Sequence, residues 1–273
     1  MKYMTFNASC SYAGLANLLS FSGVDTEDWK IALQMRLPYL FAWEDGTCLS
    51  GPMLQGAEWF NLYLHPIGFT FVERRLDMEE VCACLRDGRN RMLGLRVSPE
   101  SKHAVVYLGR EKEKYRFLNN KRKDSPEPEE LCLTEEELLA RLDGSVTVGA
   151  LERMERTAVN YRFYLERSVR TFRDLQNQIV SFCGEEQSAS SLRSAMDKWF
   201  RPILLDGVTM LELLEEAGAA EPLKAVRAQF LKIVRENRSS VLTEELDMER
   251  LCAAMAQYEE LMIRQMETEQ DNL

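Results

Sequence analysis

The apolar positions of this chain change period once. As far as about residue 148, short strand-like runs alternate with helices, and beyond that point the apolar residues keep helical spacing. The first helix is marked by Asn7-Ala-Ser-Cys10-Ser-Tyr-Ala-Gly-Leu-Ala-Asn-Leu-Leu19, a small polar turn leading into an apolar stretch. Leu15, Leu18 and Leu19 recur at helical spacing, and Ala13, Gly14 and Ala16 are small enough for close packing. Tyr3, Thr5 and Phe6 allow a short strand ahead of it. Ser22-Gly23 stops the helix, and Asp25-Thr-Glu-Asp28 supplies caps and acids for a second one, carrying Trp29, Ile31, Ala32 and Leu33 and ended by Pro38. Residues 39–43 read as a strand, Glu44-Asp45-Gly46-Thr47 as a hairpin turn, and 53–64 as a helix with Trp59, Phe60 and Leu64 on its apolar side. Residues 69–72 alternate like a strand, and Asp77 caps a helix through Leu85.

Three strand-like runs then follow closely, at 92–97, 103–108 and 115–118, the last two joined by the charged turn Arg110-Glu-Lys-Glu-Lys114. The dense charge and two prolines of 121–130 predict an exposed loop. Thr134 caps a helix to about 142, and 145–148 closes the strand-bearing part. From about Gly149 a stripe of Leu151, Met154, Ala158, Tyr161, Leu165, Phe172, Leu175 and Ile179 predicts one long helix to about Cys183. Shorter helices are expected at 192–200, 210–217, 223–237 and 243–267, with fraying over 267–273. The expected organisation is an α+β domain over 1–148, with a central helix on an antiparallel sheet, and an all-helical bundle over 149–273.

Composition narrows the function classes. A formal charge of −10 over 273 residues argues against nucleic acid and anionic membranes as main partners. No apolar run approaches the roughly 18–20 residues that cross a bilayer. The first residues lack a signal-peptide core, so secretion is not expected. Seven scattered cysteines fit reduced thiols in a cytoplasm. With only two histidines and no Cys-x-x-Cys pair, neither a metal site nor a cofactor is expected.

The remaining chemistry is that of a nucleophilic thiol. Cys10 falls at a helix start, where free N–H groups and the dipole favour a thiolate. Such a thiol needs a base, and the base needs a group that fixes its ring. His103 begins one strand of a hairpin and Asn119-Asn120 end the other, so histidine and asparagine can meet. His65 is expected to be a residue of a helix C-terminus, stabilised by the dipole.

His103-Ala-Val-Val-Tyr-Leu-Gly109 followed by Tyr115-Arg-Phe-Leu-Asn-Asn120 resembles the His and Asn hairpin of papain-like cysteine peptidases. There a His-Ala-Val strand precedes a Tyr-x-Leu-Ile-x-Asn strand. The terse Cys10 motif is similar to bacterial relatives that process double-glycine leader peptides, and more so to the butirosin-biosynthesis acyltransferase type, where a Cys opens a helix of Ala, Leu and Asn with a Gly just after it. The resemblance covers about residues 1–148, at three short places.

It implies Cys10 as nucleophile, His103 as general base and Asn120 as the residue orienting the imidazole, with Asn119 as the alternative. If His103 and Asn120 lie on opposite faces of the sheet, the family assignment fails. Papain-like peptidases carry an oxyanion glutamine six residues before the cysteine, where this chain has Met4. Asn7 is the nearest amide for that role, together with the Cys10 backbone N–H. This departure favours an activated thioester over a plain peptide. Trp43 and Trp59 are candidates for an apolar cleft. Two functions stay open. One is acyl transfer or hydrolysis through an acyl-enzyme, on an acyl or peptidyl substrate that a carrier protein can present. The other is a non-catalytic binding or assembly module using the C-terminal helices, which also suit homodimerisation.

Overall fold

The computed structural model describes residues 1–44, 47–99, 101–236 and 238–268. The turn ahead of Cys10 ends in the helix Cys10–Phe21 (α1), in which every residue from Ser11 to Leu19 is buried. A helix buried on nearly every side belongs in the middle of a domain. After α1 come Asp28–Gln34 (α2), Phe41–Glu44 (β1), Thr47–Ser50 (β2), Ala57–Ile67 (α3) and Phe69–Leu76 (β3). Met78–Leu85 (α4), Arg91–Ser98 (β4), Ser101–Glu111 (β5) and Lys114–Asn119 (β6) follow. Glu130–Leu133 (β7), Glu135–Ala140 (α5) and Val146–Arg153 (β8) complete the strand-bearing part. The helices beyond are Tyr161–Cys183 (α6), Ala189–Ala195 (α7), Val208–Leu213 (α8), Ala217–Arg235 (α9), Leu242–Glu245 (α10) and Met248–Thr268 (α11). Two π-helical segments, Met196–Phe200 and Pro202–Gly207, lie between α7 and α8. The architecture is mixed α+β, with an antiparallel sheet and many helices.

The chain divides into two compact units, Met1–Met35 with Gln55–Val159 and Arg36–Leu54 with Asn160–Leu273. The first is built on a six-stranded antiparallel sheet in the order β3-β8-β4-β5-β6-β7. One face receives α1, which lies against β4 and β5. Close approach is permitted by Gly14, where a Cβ would sit 2.7 Å from Asn120 Nδ2 and overlap Met92. The other face carries a core of Leu93, Leu95, Val105, Tyr107, Tyr115, Phe117, Val146 and Val148, covered by Val81 and Leu85 of α4 and Leu138 of α5. Both flanking helices start at the expected caps, Asp77 and Thr134, and each cap closes a capping box, with Glu80 and Glu137 respectively.

In the second unit, the β1–β2 hairpin packs among helices. Phe41 lies edge-on to Phe172 at 4.7 Å, and Ser168 Oγ accepts from the Phe41 N–H at 3.0 Å. Tyr258 donates its hydroxyl to Pro38 O. Burial of the Tyr258 phenol raises its pKa well above the ordinary value, which keeps it a donor there.

Several expectations are corrected. Residues 3–6 form no strand, because their polar groups turn toward Asp28 and Lys121. The strand expected at 39–43 is Phe41–Glu44, preceded by a 3₁₀ turn at Leu37–Tyr39. The expected boundary after residue 148 falls inside β8, and the long helix starts at Tyr161 rather than near 149. Leu151 extends β8, paired with Phe71, so the helical stripe begins only after Asn160 caps α6. Segment 36–54 belongs with the helices rather than with the sheet. Strand β7, which was not expected, begins at Glu130, the last residue of the expected 121–130 loop. The Asp45-Gly46 turn, the helix end at Asn237 and the fraying of 269–273 lie outside the described residues.

The turn before α1 is held by Asp28, fully buried in α2. Its carboxylate accepts from Thr5 N and Thr5 Oγ1 at 2.6 Å and from Ser9 Oγ and Trp29 N at 2.7 Å. Asp28→Ala strands these donors in the interior. It should lower unfolding stability by roughly 2–4 kcal/mol in urea titration.

Candidate active site

Cys10 is the first residue of α1, half-buried, with no acidic side chain in the first turn. Ser9 does not cap the helix with its side chain, because that hydroxyl is given to Asp28. The positive end of the helix dipole therefore lies at the thiol without a competing carboxylate on the helix.

His103 lies on β5 opposite Leu95 of β4. Asn119 ends β6 opposite Val105, so alternation along β5 puts His103 and Asn119 on the same face. His103 Nδ1 is 2.8 Å from Asn119 Oδ1. The Asn119 amide is itself oriented, its Nδ2 donating to Pro128 O at 3.1 Å and Glu127 Oε2 at 3.3 Å. An amide oxygen facing Nδ1 requires a proton there, which leaves the lone pair on Nε2. Nε2 meets the Ser101 hydroxyl at 3.0 Å.

Asn120, the first candidate for orienting the ring, does something else. It turns to α1, accepting from Asn17 Nδ2 at 2.9 Å and donating to Ala104 O at 2.6 Å. Adjacent residues of an extended chain point to opposite sides, so only one asparagine can reach the histidine. His103 and Asn120 thus lie on opposite faces, the placement on which the papain-like assignment made through Asn120 fails, and it is Asn119 that meets the ring.

Cys10 and His103 open on one cavity of about 370 Å³, walled by Phe60, Phe71, Met92 and Leu93. Phe60 and Phe71 meet edge-on at 5.1 Å. Trp59, a cleft candidate, is buried in α3 and does not line this cavity. Trp43, the other, lies half-buried on β1 in the helical unit and is not a lining residue either. Asn7, the oxyanion candidate, is exposed, and its Oδ1 accepts from Arg122 Nη1 at 3.2 Å. The amide on the cavity wall is Gln55, whose Oε1 accepts from Ser11 Oγ at 2.6 Å and whose Nε2 donates to Ala8 O at 3.4 Å.

Gln55 and Glu127 were not anticipated. Gln55 stands alone between Leu54 and Gly56, with no periodic or motif signal. Glu127 sits in the charged segment expected to be solvent loop, yet that segment folds back. Asn119 N donates to Glu129 O at 2.7 Å, and buried Lys121 donates from Nζ to Ser125 O at 2.8 Å. His65 lies in the last turn of α3, its Nε2 3.4 Å from Thr70 Oγ1.

The seven cysteines are free thiols. Burial pushes Cys48 up to about 12 and Cys183 up to about 11, and it also raises Cys82 and Cys252. Those four stay protonated at neutral pH. Among the described residues no cluster of His, Cys, Asp and Glu is placed to hold a metal ion, and no helix is long and apolar enough to cross a membrane.

The site is thus a cysteine and an amide-oriented histidine on one cavity of an α+β unit. No protein-family model and no curated protein matches the chain. Among solved structures it is similar to the peptidase domain of Streptococcus ComA, a bi-functional ABC transporter involved in a quorum-sensing pathway. That match has 12% identity over 54% of this chain and 95% of the other, with a TM-score of 0.39. It is also similar to a periplasmic domain of the EpsAB fusion protein of the Vibrio vulnificus type II secretion system. There the identity is 15% over 55% of this chain and 51% of the other, about half its length, with a TM-score of 0.29.

The two asparagines should separate by experiment. Asn119→Ala should slow Cys10 alkylation about tenfold near neutral pH, because the imidazole loses its fixed tautomer. Asn120→Ala should leave that rate within about twofold and lower stability by roughly 1–3 kcal/mol, because buried partners lose an amide. Alkylation kinetics and urea unfolding on both variants provide the check.

Proposed function

We propose that this chain is a cysteine-nucleophile enzyme of papain-like type that transfers or hydrolyses acyl groups. The observation that carries the reading is the shared cavity of Cys10 and His103, with the His103 ring set by Asn119. In the proposed cycle the Cys10 proton passes to His103 Nε2 while the sulfur bonds to the acyl carbon. The leaving thiol or amine departs with the proton from Nε2, and a thioester on Cys10 remains. An incoming amine or water gives a proton to Nε2 and bonds to the same carbon. The bond to sulfur breaks, and Cys10 recovers its proton. Cys10 N–H and Gln55 Nε2 are the donors assigned to the developing oxyanion. The apolar wall of Phe60, Phe71, Met92 and Leu93 suits an acyl chain, and a thioester on a carrier protein is the favoured donor. Free thiols throughout are consistent with a reducing, cytoplasmic setting.

A second reading, a non-catalytic binding module, is favoured by one contact. Ser101 already occupies His103 Nε2, and the hydroxyl must swing away before Cys10 can use that nitrogen. Alkylation decides between the two. Iodoacetamide near pH 6–7, mapped by peptide mass spectrometry, should modify Cys10 ahead of half-buried Cys84 and exposed Cys132. His103→Ala should slow that reaction at least about tenfold, whereas His65→Ala should not. A Cys10 rate indifferent to His103 leaves the binding module as the reading.

Turnover supplies a further test. Acyl thioesters should release thiol in a Cys10-dependent reaction, with plain peptides cleaved far more slowly. Gln55→Ala should lower the thioester rate by roughly 10²-fold while barely changing Cys10 alkylation, because alkylation develops no oxyanion.

A further inference from the structure

Glu127 is the charged group brought closest to the ring by the folded-back loop between β6 and β7. Its Oε2 lies 3.4 Å from His103 Nδ1, and the same oxygen accepts from Asn119 Nδ2 at 3.3 Å. The two side chains are only 17% and 23% exposed, so solvent screens the pair less than it does a surface ion pair. The loop backbone that carries it is also held, since Glu127 N donates to Ser125 Oγ at 3.3 Å and Ser125 N to Arg122 O at 3.1 Å.

We infer that Glu127 is a positioning residue for His103, the fixed negative charge that stabilises the imidazolium formed when Nε2 takes a proton. This rests on the acyl-transfer reading only for its consequence in catalysis. Asn119 and Glu127 divide the work at Nδ1. The neutral amide sets the direction of the ring, and the carboxylate supplies the charge that an amide lacks. Among the described residues, the other charged or titratable groups lining the same cavity are Cys10 from α1, Glu73 from β3 and Lys102 from β5. Lys102 Nζ lies 3.4 Å from Asp143 and Glu73 accepts from the Ala57 N–H at 2.9 Å, so each has its own partner. Asp124 in the same loop lies 3.6 Å from Arg122 Nε.

The chain's two histidines make the pair directly readable. The Nδ1–H proton resonances of His103 and His65 should be followed by NMR in a Cys10→Ser background. Glu127→Gln should move the His103 resonance upfield, because a neutral amide replaces the charged acceptor, Glu127→Asp should restore part of the difference, and the His65 resonance should stay in place. With Cys10 present, Glu127→Gln should slow alkylation at pH 6–7 by roughly 3- to 10-fold, with partial rescue by Glu127→Asp. An unmoved His103 resonance in a folded Glu127→Gln protein overturns the inference. A moved resonance with an unreactive wild-type Cys10 upholds the pair and removes the acyl-transfer reading instead.

Discussion

The buried carboxylate of Asp28 is the constraint on which the rest of the site depends. A charge taken out of water costs several kcal/mol unless its lone pairs are satisfied, and here Thr5, Ser9 and the Trp29 N–H satisfy them. Those bonds fix the turn that ends at Ser9, and so they fix where α1 begins. The Ser9 hydroxyl, engaged with Asp28, cannot cap the helix it precedes. Cys10 then takes the first helical position beside N–H groups that no side chain of Ser9 has claimed.

The sheet imposes the second constraint. One face is committed to α1 and the other to the core beneath α4 and α5. With both faces buried, a slip of one residue in β6 would exchange Phe117 and Leu118 between two differently shaped environments. The register Val105 to Asn119 is therefore firmly held, and it separates the two asparagines by function. Asn120 becomes a polar tie between β5 and α1, whereas Asn119 faces the imidazole.

Around His103 the loop at 121–129 acts as part of the site rather than as solvent-facing connection. Its backbone joins β6 through Glu129 and its interior is tied by Lys121 and Ser125, which brings Glu127 to the ring. The imidazole is thus contacted from β5 by Ser101, from β6 by Asn119 and from the loop by Glu127. The cavity wall is likewise assembled from distant segments, with Gln55 ahead of α3 and Phe71 on β3. Residues 39–43 show the same effect in the helical unit, where Phe41 and Tyr39 bury their rings against Phe172 and Tyr258.

What the sequence determined by itself is what local physics controls. Helix α1, the capping boxes at Asp77 and Thr134, strands β3 to β6 and β8, and the helical character after Asn160 follow from period and cap chemistry. So does the placement of Cys10 at a helix start and of His103 on a hairpin ending in asparagine. Tertiary structure decided the rest. Leu151 and Met154 fit a helical stripe, but pairing of β8 with β3 carried the strand on to Arg153, since strand hydrogen bonds depend on a partner absent from the local sequence. The choice of Asn119 over Asn120 required a register, and registers are set by which faces are buried. Gln55 and Glu127 reach the site only because the chain closes back over long separations, and no local pattern encodes that closure.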